Sequence, residues 1–113
     1  MFRGKVVLVP FPFDDLSSAK VRPAVCPTER IGPHEHVIVA FITSCIPDPL
    51  LASDIVLPRS GARHETMGLK VDSALRLHRL MTIGVGLIRR ELGAVPPSIQ
   101  SLIDTKLREL FNL

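Results

Sequence analysis

The sequence predicts a mainly β fold, a small and partly open barrel, that ends in one C-terminal helix. Ten prolines among 113 residues interrupt nearly every segment before residue 96 that could form a long helix. The segments between them are short, apolar and rich in β-branched residues, as strands are. A mass of 12.4 kDa leaves little room for a second hydrophobic core, so we predict one domain over residues 1–113.

Three strands are predicted in the first half of the chain. Lys5–Val9 is apolar and β-branched, and Pro10 ends it. Val21–Cys26 contains Pro23, which has no backbone N–H and therefore favours an edge or a bulged position. His36–Thr43, a run of Val, Ile, Ala and Phe, is the clearest strand of the chain.

The second half predicts shorter strands and then a change of period. Four strands are expected there: Ile55–Leu57, Lys70–Leu77, Met81–Val85 and Leu87–Arg90. Gly84 and Gly86 weaken the last two, because glycine adds no side-chain packing to a strand.

The C-terminal segment predicts an amphipathic helix that begins near Pro97, a residue suited to a first helical turn. Its apolar residues have the i, i+3, i+4 spacing of one helical face: Ile99, Leu102, Ile103, Leu107, Leu110 and Phe111. We expect this apolar face to pack on the sheet.

Composition and charge favour a folded protein with an anionic partner. Hydrophobic residues make up 46% of the chain and charged residues 22%, unlike the composition of a disordered chain. The net charge is +3, and residues 59–90 alone carry seven basic and two acidic side chains. Such a segment can bind phosphates, or it can form a solvated face without function.

The expected compartment is the cytoplasm. The longest apolar runs are far below the roughly 20 residues that a membrane span needs, and the first residues lack the features of a signal peptide. No membrane partner is therefore expected. Cys26 and Cys45 both lie in apolar, strand-like surroundings, which predicts two buried free thiols.

Several motifs in a fixed order make the chain resemble the MazF/PemK family of toxins from type II toxin–antitoxin systems. No single motif is specific, but their order and spacing match the family over nearly the whole chain. The motifs are Arg-Gly-Lys-Val-Val-Leu-Val-Pro-Phe-Pro-Phe at residues 3–13, Asp-Asp-Leu-Ser at 14–17, Lys-Val-Arg-Pro-Ala-Val at 20–25, Ala-Phe-Ile-Thr-Ser at 40–44, Gly-Leu-Lys-Val-Asp-Ser at 68–73 and Leu-Gly at 92–93.

The resemblance implies an SH3-like barrel, shared with the CcdB-type gyrase poisons, in a homodimer. It also implies sequence-specific cleavage of single-stranded RNA without a metal or other cofactor. The partners that it implies are the RNA substrate and a small acidic antitoxin, with operator DNA as a further ligand of the toxin–antitoxin complex.

The resemblance places Arg22, Thr43 and Ser44 in the catalytic site. The guanidinium of Arg22 would stabilise charge on the phosphoryl oxygens, and the two hydroxyls would hold the phosphate or orient the 2′-hydroxyl. Two structural alternatives stay open. Arg22 can pair with Asp14 or Asp15 instead, and each hydroxyl can bond its own backbone at the strand end.

The remaining RNA-binding candidates are Phe13, Lys20, Arg76 and His78. Phe13 and Lys20 belong to loop 11–20, whose counterpart in the family borders the RNA groove. Phe13 would stack on a base or else fill the core. Arg76 would contact a phosphate, and it shares a face with His78 if this segment is a regular strand.

One motif departs from the family. Where better-studied members carry Asp-Gln-x-Arg-Thr, this chain has His-Arg-Leu-Met-Thr at residues 78–82. A catalytic carboxylate therefore cannot be transferred to this chain. His78 is a substitute acid–base group or a structural, solvated histidine.

Three functions remain open at this point. The first is an RNA-cleaving toxin that uses Arg22 and Thr43. The second is a non-catalytic poison of the same fold that binds a protein such as gyrase, because fold alone does not define function. The third is a degenerate homologue that binds only antitoxin and operator DNA, to which the changes at His78 and Met81 point.

Overall fold

Short apolar segments pair into one six-stranded antiparallel sheet in the computed structural model, which describes residues 2–11, 20–59 and 64–113. The strand order is β4-β5-β3-β2-β1-β6, so the sheet forms a half-barrel against which one helix packs, and the predicted fold class is confirmed. The strands are β1 (Lys5–Phe11), β2 (Lys20–Val25), β3 (His36–Thr43), β4 (Asp54–Leu57), β5 (Ser73–Gly84) and β6 (Arg90–Ala94).

The sheet buries apolar side chains on both of its faces. On β3, Ala40 and Ile42 point into a core that includes Ile103 of the helix, which we call the helix-side core. Val37 and Val39 point the other way, into a second core. This alternation explains the continuous apolar sequence of β3, since a strand buried on both faces needs no polar side.

Helix α1 (Pro97–Leu110) closes the helix-side core. Ile99 and Ile103 are buried on the predicted apolar face, whereas Leu102 and Phe111 are exposed. The Nζ of Lys106 donates a hydrogen bond of 2.6 Å to the carbonyl of Ala52, which ties the helix to the loop before β4. In the described part of the chain, no helix combines the length and apolar character of a membrane span.

The second half of the sheet differs from its prediction. The predicted strands Lys70–Leu77 and Met81–Val85 are one continuous strand, β5, because β3 is long enough to pair with both segments. Phe41 pairs with Arg76 and Ala40 pairs with Leu80, so a bulge of three residues, 77–79, absorbs the mismatch.

The prediction of a strand over Leu87–Arg90 was wrong. A 3-10 turn occupies Val85–Leu87, and the final strand begins only at Arg90. The β6 strand pairs with β1 at the sheet edge, and that pairing continues to Ala94. Gly84 and Gly86, which flank Val85, had already indicated that a regular strand is weak here.

The two cysteines have different surroundings. Cys26 is fully buried, as expected, whereas Cys45 is exposed because β3 ends at Thr43 and the chain turns outward. Burial raises the pKa of the Cys26 thiol from 9.0 to about 11, and the nearby Lys5 offsets only part of that rise. Cys26 therefore stays protonated at neutral pH and packs as a small apolar side chain.

Backbone contact between β6 and the 3-10 turn His64–Met67 requires a glycine at position 93. A Cβ atom added at Gly93 would overlap the carbonyl oxygen of Thr66 and crowd the carbonyl carbon of Met67. Both are backbone atoms, so no side-chain rotation relieves the contact.

We expect Gly93→Ala to lower the free energy of unfolding by about 1–3 kcal/mol, the usual cost of overpacking. Gly86→Ala is the matched control, because a Cβ there meets nothing within 4 Å. Urea unfolding of both variants measures the difference. Equal stabilities would show that β6 and the turn separate easily.

Candidate functional site: an arginine-lined pocket where two strands part

The pairing between β2 and β3 stops early. Only Ala24 with Phe41 and Val25 with Ala40 are paired in this ladder. The next residue of β2 is Pro23, which has no N–H to donate, so the ladder cannot continue in its ordinary form. Pro23 still pairs with β1, so β2 is an interior strand of the sheet. On the side that faces β3, however, β2 is unpaired from Pro23 back to its first residue.

Arg22 and Thr43 lie where β2 and β3 separate, beyond the last paired residues. The β2–β3 register, continued by two residues, sets Arg22 opposite Thr43. A cavity of about 310 Å³ lies here, near the lower limit of ~300–1,000 Å³ for ligand sites. We call it the arginine pocket; its lining residues are Arg22, Phe41, Ile42, Thr43, Cys45, Arg76 and Arg79.

A buried carboxylate fixes Arg76 in the pocket wall. Arg76 and Asp54 are direct cross-strand partners on β5 and β4. The Arg76 guanidinium donates to both Asp54 carboxylate oxygens, at 3.1 and 3.4 Å, and the Asp54 side chain is 0% exposed. The carboxylate also accepts the N–H of Leu51 at 2.8 Å. Asp54 thus joins the loop before β4 to the pocket.

The β5 bulge brings Arg79 to the same pocket. Side chains three residues apart on a regular strand point to opposite faces, which would separate Arg76 from Arg79. The bulge between them reverses this alternation. Leu77 and Leu80, also three residues apart, both pack on the helix-side core, which leaves Arg79 on the pocket face.

The hydroxyl of Thr43 is oriented by its own backbone turn. Its Oγ1 accepts the N–H of Cys45 at 3.1 Å and donates a long hydrogen bond of 3.5 Å to the carbonyl of Cys45. The local bond considered from the sequence therefore exists, and Thr43 lines the pocket as well. The bond that the hydroxyl donates is long and therefore weak, so its proton can be redirected to a phosphate oxygen.

A second cavity of about 410 Å³ adjoins the pocket, and Arg22 and Ile42 line both. We call it the lysine groove, since Lys70 and Arg90 line it with Arg22. Among its remaining lining residues are Val21, Leu69, Val71 and Leu92. The groove thus combines positive charge with an apolar surface.

Three of the seven site residues predicted from the sequence meet in the arginine pocket: Arg22, Thr43 and Arg76. Ser44, the next residue after Thr43, lines the lysine groove instead. Lys20 is exposed at the first residue of β2. Phe13 lies outside the described residues, as do Asp14 and Asp15.

His78 occupies a different place. It lines a third cavity, of about 360 Å³, beside helix α1 together with Lys106 and Glu109. The expectation that His78 and Arg76 share a face of a regular strand fails, because the bulge begins directly after Arg76. In residues 2–11, 20–59 and 64–113, no group of three or more His, Cys, Asp or Glu side chains is placed to bind a metal ion.

Two polar pocket residues were not predicted. Cys45 was assigned to the interior, and Arg79 was counted only as part of the basic segment 59–90. One signal was present for Arg79: it stands where the better-studied family members carry the glutamine of their Asp-Gln-x-Arg-Thr run.

The fold and the pocket together define a small β-barrel protein with a cationic cavity at a strand opening. The sequence model of the PemK-like, MazF-like toxins of type II toxin–antitoxin systems matches residues 2–111. The chain belongs to this toxin family. No curated protein sequence matches it.

Solved structures of mycobacterial toxins share this fold. The Mycobacterium tuberculosis toxin MazF-mt6 aligns with a TM-score of 0.74 at 22% identity, over 96% of this chain and 97% of that one. An endoribonuclease from a mycobacterial species, in complex with its cognate antitoxin, aligns with a TM-score of 0.69 at 15% identity, over 100% and 96% of the two chains. At these identities the likeness concerns the fold.

We expect Asp54→Asn to lower the free energy of unfolding by about 1–3 kcal/mol, because it removes a charged acceptor from Arg76 inside the protein. Asp104→Asn is the matched control. Asp104 pairs with Arg3 at the surface, where both side chains are at least 40% exposed and the pair contributes only about 0–1 kcal/mol. Thermal or urea unfolding compares the two variants. A smaller loss at Asp54 than at Asp104 would contradict the structural role.

Proposed function

We propose that this toxin is a metal-independent, sequence-specific endoribonuclease that cleaves single-stranded RNA and leaves a 2′,3′-cyclic phosphate. The observation that carries the proposal is that Arg22 and Thr43 line the same cationic pocket. Among the lining residues that the structure describes, three are arginines and none is a carboxylate. Such a pocket suits a phosphodiester.

In the proposed reaction the RNA supplies its own nucleophile. The 2′-oxygen forms a bond to the adjacent phosphorus as its proton leaves, and the bond from phosphorus to the 5′-oxygen breaks as that oxygen gains a proton. Negative charge builds up on the two non-bridging oxygens during this exchange. The protein therefore needs hydrogen-bond donors around the phosphate, already in place before the reaction.

Arg22 and Thr43 have matching roles in this scheme. The half-buried guanidinium of Arg22 donates to a non-bridging oxygen from β2. The hydroxyl of Thr43, oriented by Cys45, donates from the end of β3. Arg76 adds positive charge from the wall that Asp54 fixes. We assign no chemical step to His78, because it lines the cavity beside the helix instead.

The RNA strand would continue from the pocket into the lysine groove, since Arg22 lines both. There, Lys70 and Arg90 would contact phosphates, and the hydroxyl of Ser44 would bind a sugar or phosphate oxygen. Lys20, exposed two residues before Arg22, would extend this basic path. Phe13 stays a prediction for base stacking.

An acidic antitoxin would compete for the same groove. The apolar residues beside Lys70 and Arg90 suit a segment that carries both carboxylates and apolar side chains. Occupying the groove would cover Arg22 and so block RNA.

We further propose that the toxin is a homodimer, which sedimentation would test. We also propose that its complex with the antitoxin binds operator DNA, which a DNA mobility shift would test.

The nuclease is tested with purified protein, free of antitoxin, on a long single-stranded RNA in the presence of EDTA. We expect discrete cuts with 5′-hydroxyl and 2′,3′-cyclic phosphate ends. Arg22→Ala should slow cleavage by about 10²–10³-fold, as the loss of one preorganised donor does. Arg108→Ala, on the exposed side of helix α1, is the matched control and should cleave like the wild type.

A folded wild-type protein that leaves RNA intact would reject the nuclease. Inhibition of gyrase by that protein would then favour the poison. Binding of antitoxin and operator DNA without either activity would favour a degenerate homologue.

The antitoxin site is tested by calorimetry with the neighbouring antitoxin. We expect Lys70→Glu to weaken binding by about tenfold, equivalent to 1.4 kcal/mol, because it places a carboxylate against an acidic segment. Arg108→Glu makes the same change in charge away from the groove and should bind normally. Equal affinities of the two variants would show that the antitoxin binds another surface of the toxin.

A further inference from the structure

The arginine pocket contains more positive charge than Arg22 alone supplies. Arg76 and Arg79 also line it, and the Asp54 carboxylate accepts hydrogen bonds from Arg76. Three guanidinium groups thus line one pocket. Cationic side chains in a pocket that is partly closed to water raise the local potential for an anion.

The strand order places these groups on two sides of β3, the strand that ends at Thr43. Strand β3 lies between β2 and β5, so Arg22 approaches from one neighbour and Arg79 from the other. Arg22 is half-buried in the wall, whereas Arg79 is exposed at the rim. An RNA phosphate bound in the arginine pocket would therefore have a guanidinium on each side.

The orientation of Arg79 depends on the core and not on the mobility of a long side chain. Leu77 is 0% exposed in the helix-side core, and Leu80 packs against the same core after the bulge. With both leucines on that face, the backbone between them directs the Arg79 side chain to the pocket face. A regular strand of the same sequence would direct it away.

We propose that Arg79 is a second catalytic arginine, which binds the scissile phosphate together with Arg22. This inference rests on the proposed nuclease function. During attack by the 2′-oxygen the phosphoryl group gains negative charge, and a second guanidinium can bind the additional charge as it develops. Arg79 would contribute more to the transition state than to the bound substrate, because the phosphoryl oxygens carry more negative charge in the transition state.

The test compares Arg79→Gln and Arg79→Lys with Arg108→Gln, a matched loss of one exposed arginine. Two quantities are measured. The first is the single-turnover cleavage rate at saturating protein concentration. The second is the affinity for the same RNA with a 2′-deoxy nucleotide at the cut site, which blocks the reaction. We expect Arg79→Gln to lower the rate by about 10²-fold and the affinity far less.

Arg79→Lys should recover part of the rate, because lysine restores the charge but not the planar pair of donors. For Arg79→Gln, the dependence of log affinity on log salt should become shallower by about 0.7, the amount for one phosphate contact with a single strand. Arg108→Gln should change neither quantity. Thermal melting checks that all variants fold.

The failure of this inference can be distinguished from that of the proposed function. If the wild type cleaves and Arg79→Gln cleaves equally fast, Arg79 is no catalytic residue and the nuclease stands. If the affinity falls while the cleavage rate at saturation is unchanged, Arg79 only binds substrate and the inference is overturned. If the wild type does not cleave, the proposed function fails, and the catalytic role of Arg79 fails with it.

Discussion

A missing hydrogen-bond donor sets the position of the site. Pro23 lies in the interior of the sheet, where other residues donate to a neighbouring strand, and the β2–β3 ladder ends beside it. The opening exposes the start of β2, with Arg22, and the end of β3, with Thr43. The two residues of the Arg-Pro motif thus act together. The proline ends the strand pairing, and the arginine side chain lines the pocket that opens there.

The two cores of the sheet keep this opening from collapsing. Because β3 is buried on both faces, its position is fixed up to Ile42, one residue before the hydroxyl of Thr43. The bulge in β5 is fixed in the same way, by Leu77 and Leu80 in the helix-side core. Apolar packing therefore determines where the polar groups point, as sites built on rigid elements require.

The sequence predicted the fold class, the first three strands within two residues and the amphipathic helix, since each depends on local period and composition. It grouped Arg22 with Thr43 through the family resemblance, because residues far apart in the chain show no spatial relation in one sequence. The bulge could not be predicted. The run Arg-Leu-His-Arg-Leu at 76–80 does not show where the alternation of side chains between the two faces is interrupted. This interruption separates His78 from Arg76 and places Arg79 at the arginine pocket.

The bonds of Asp54 also limit how this protein can evolve. Its carboxylate joins the loop at Leu51 to Arg76, so one side chain serves both the architecture of the β4 edge and the charge of the pocket. A substitution that removes either partner leaves the other charge in the protein interior without its counterpart. The positions of Asp54 and Arg76 can therefore drift only as a pair, and a lineage that exchanges both for neutral residues keeps the net charge of the pocket but loses one guanidinium from its wall in the same step.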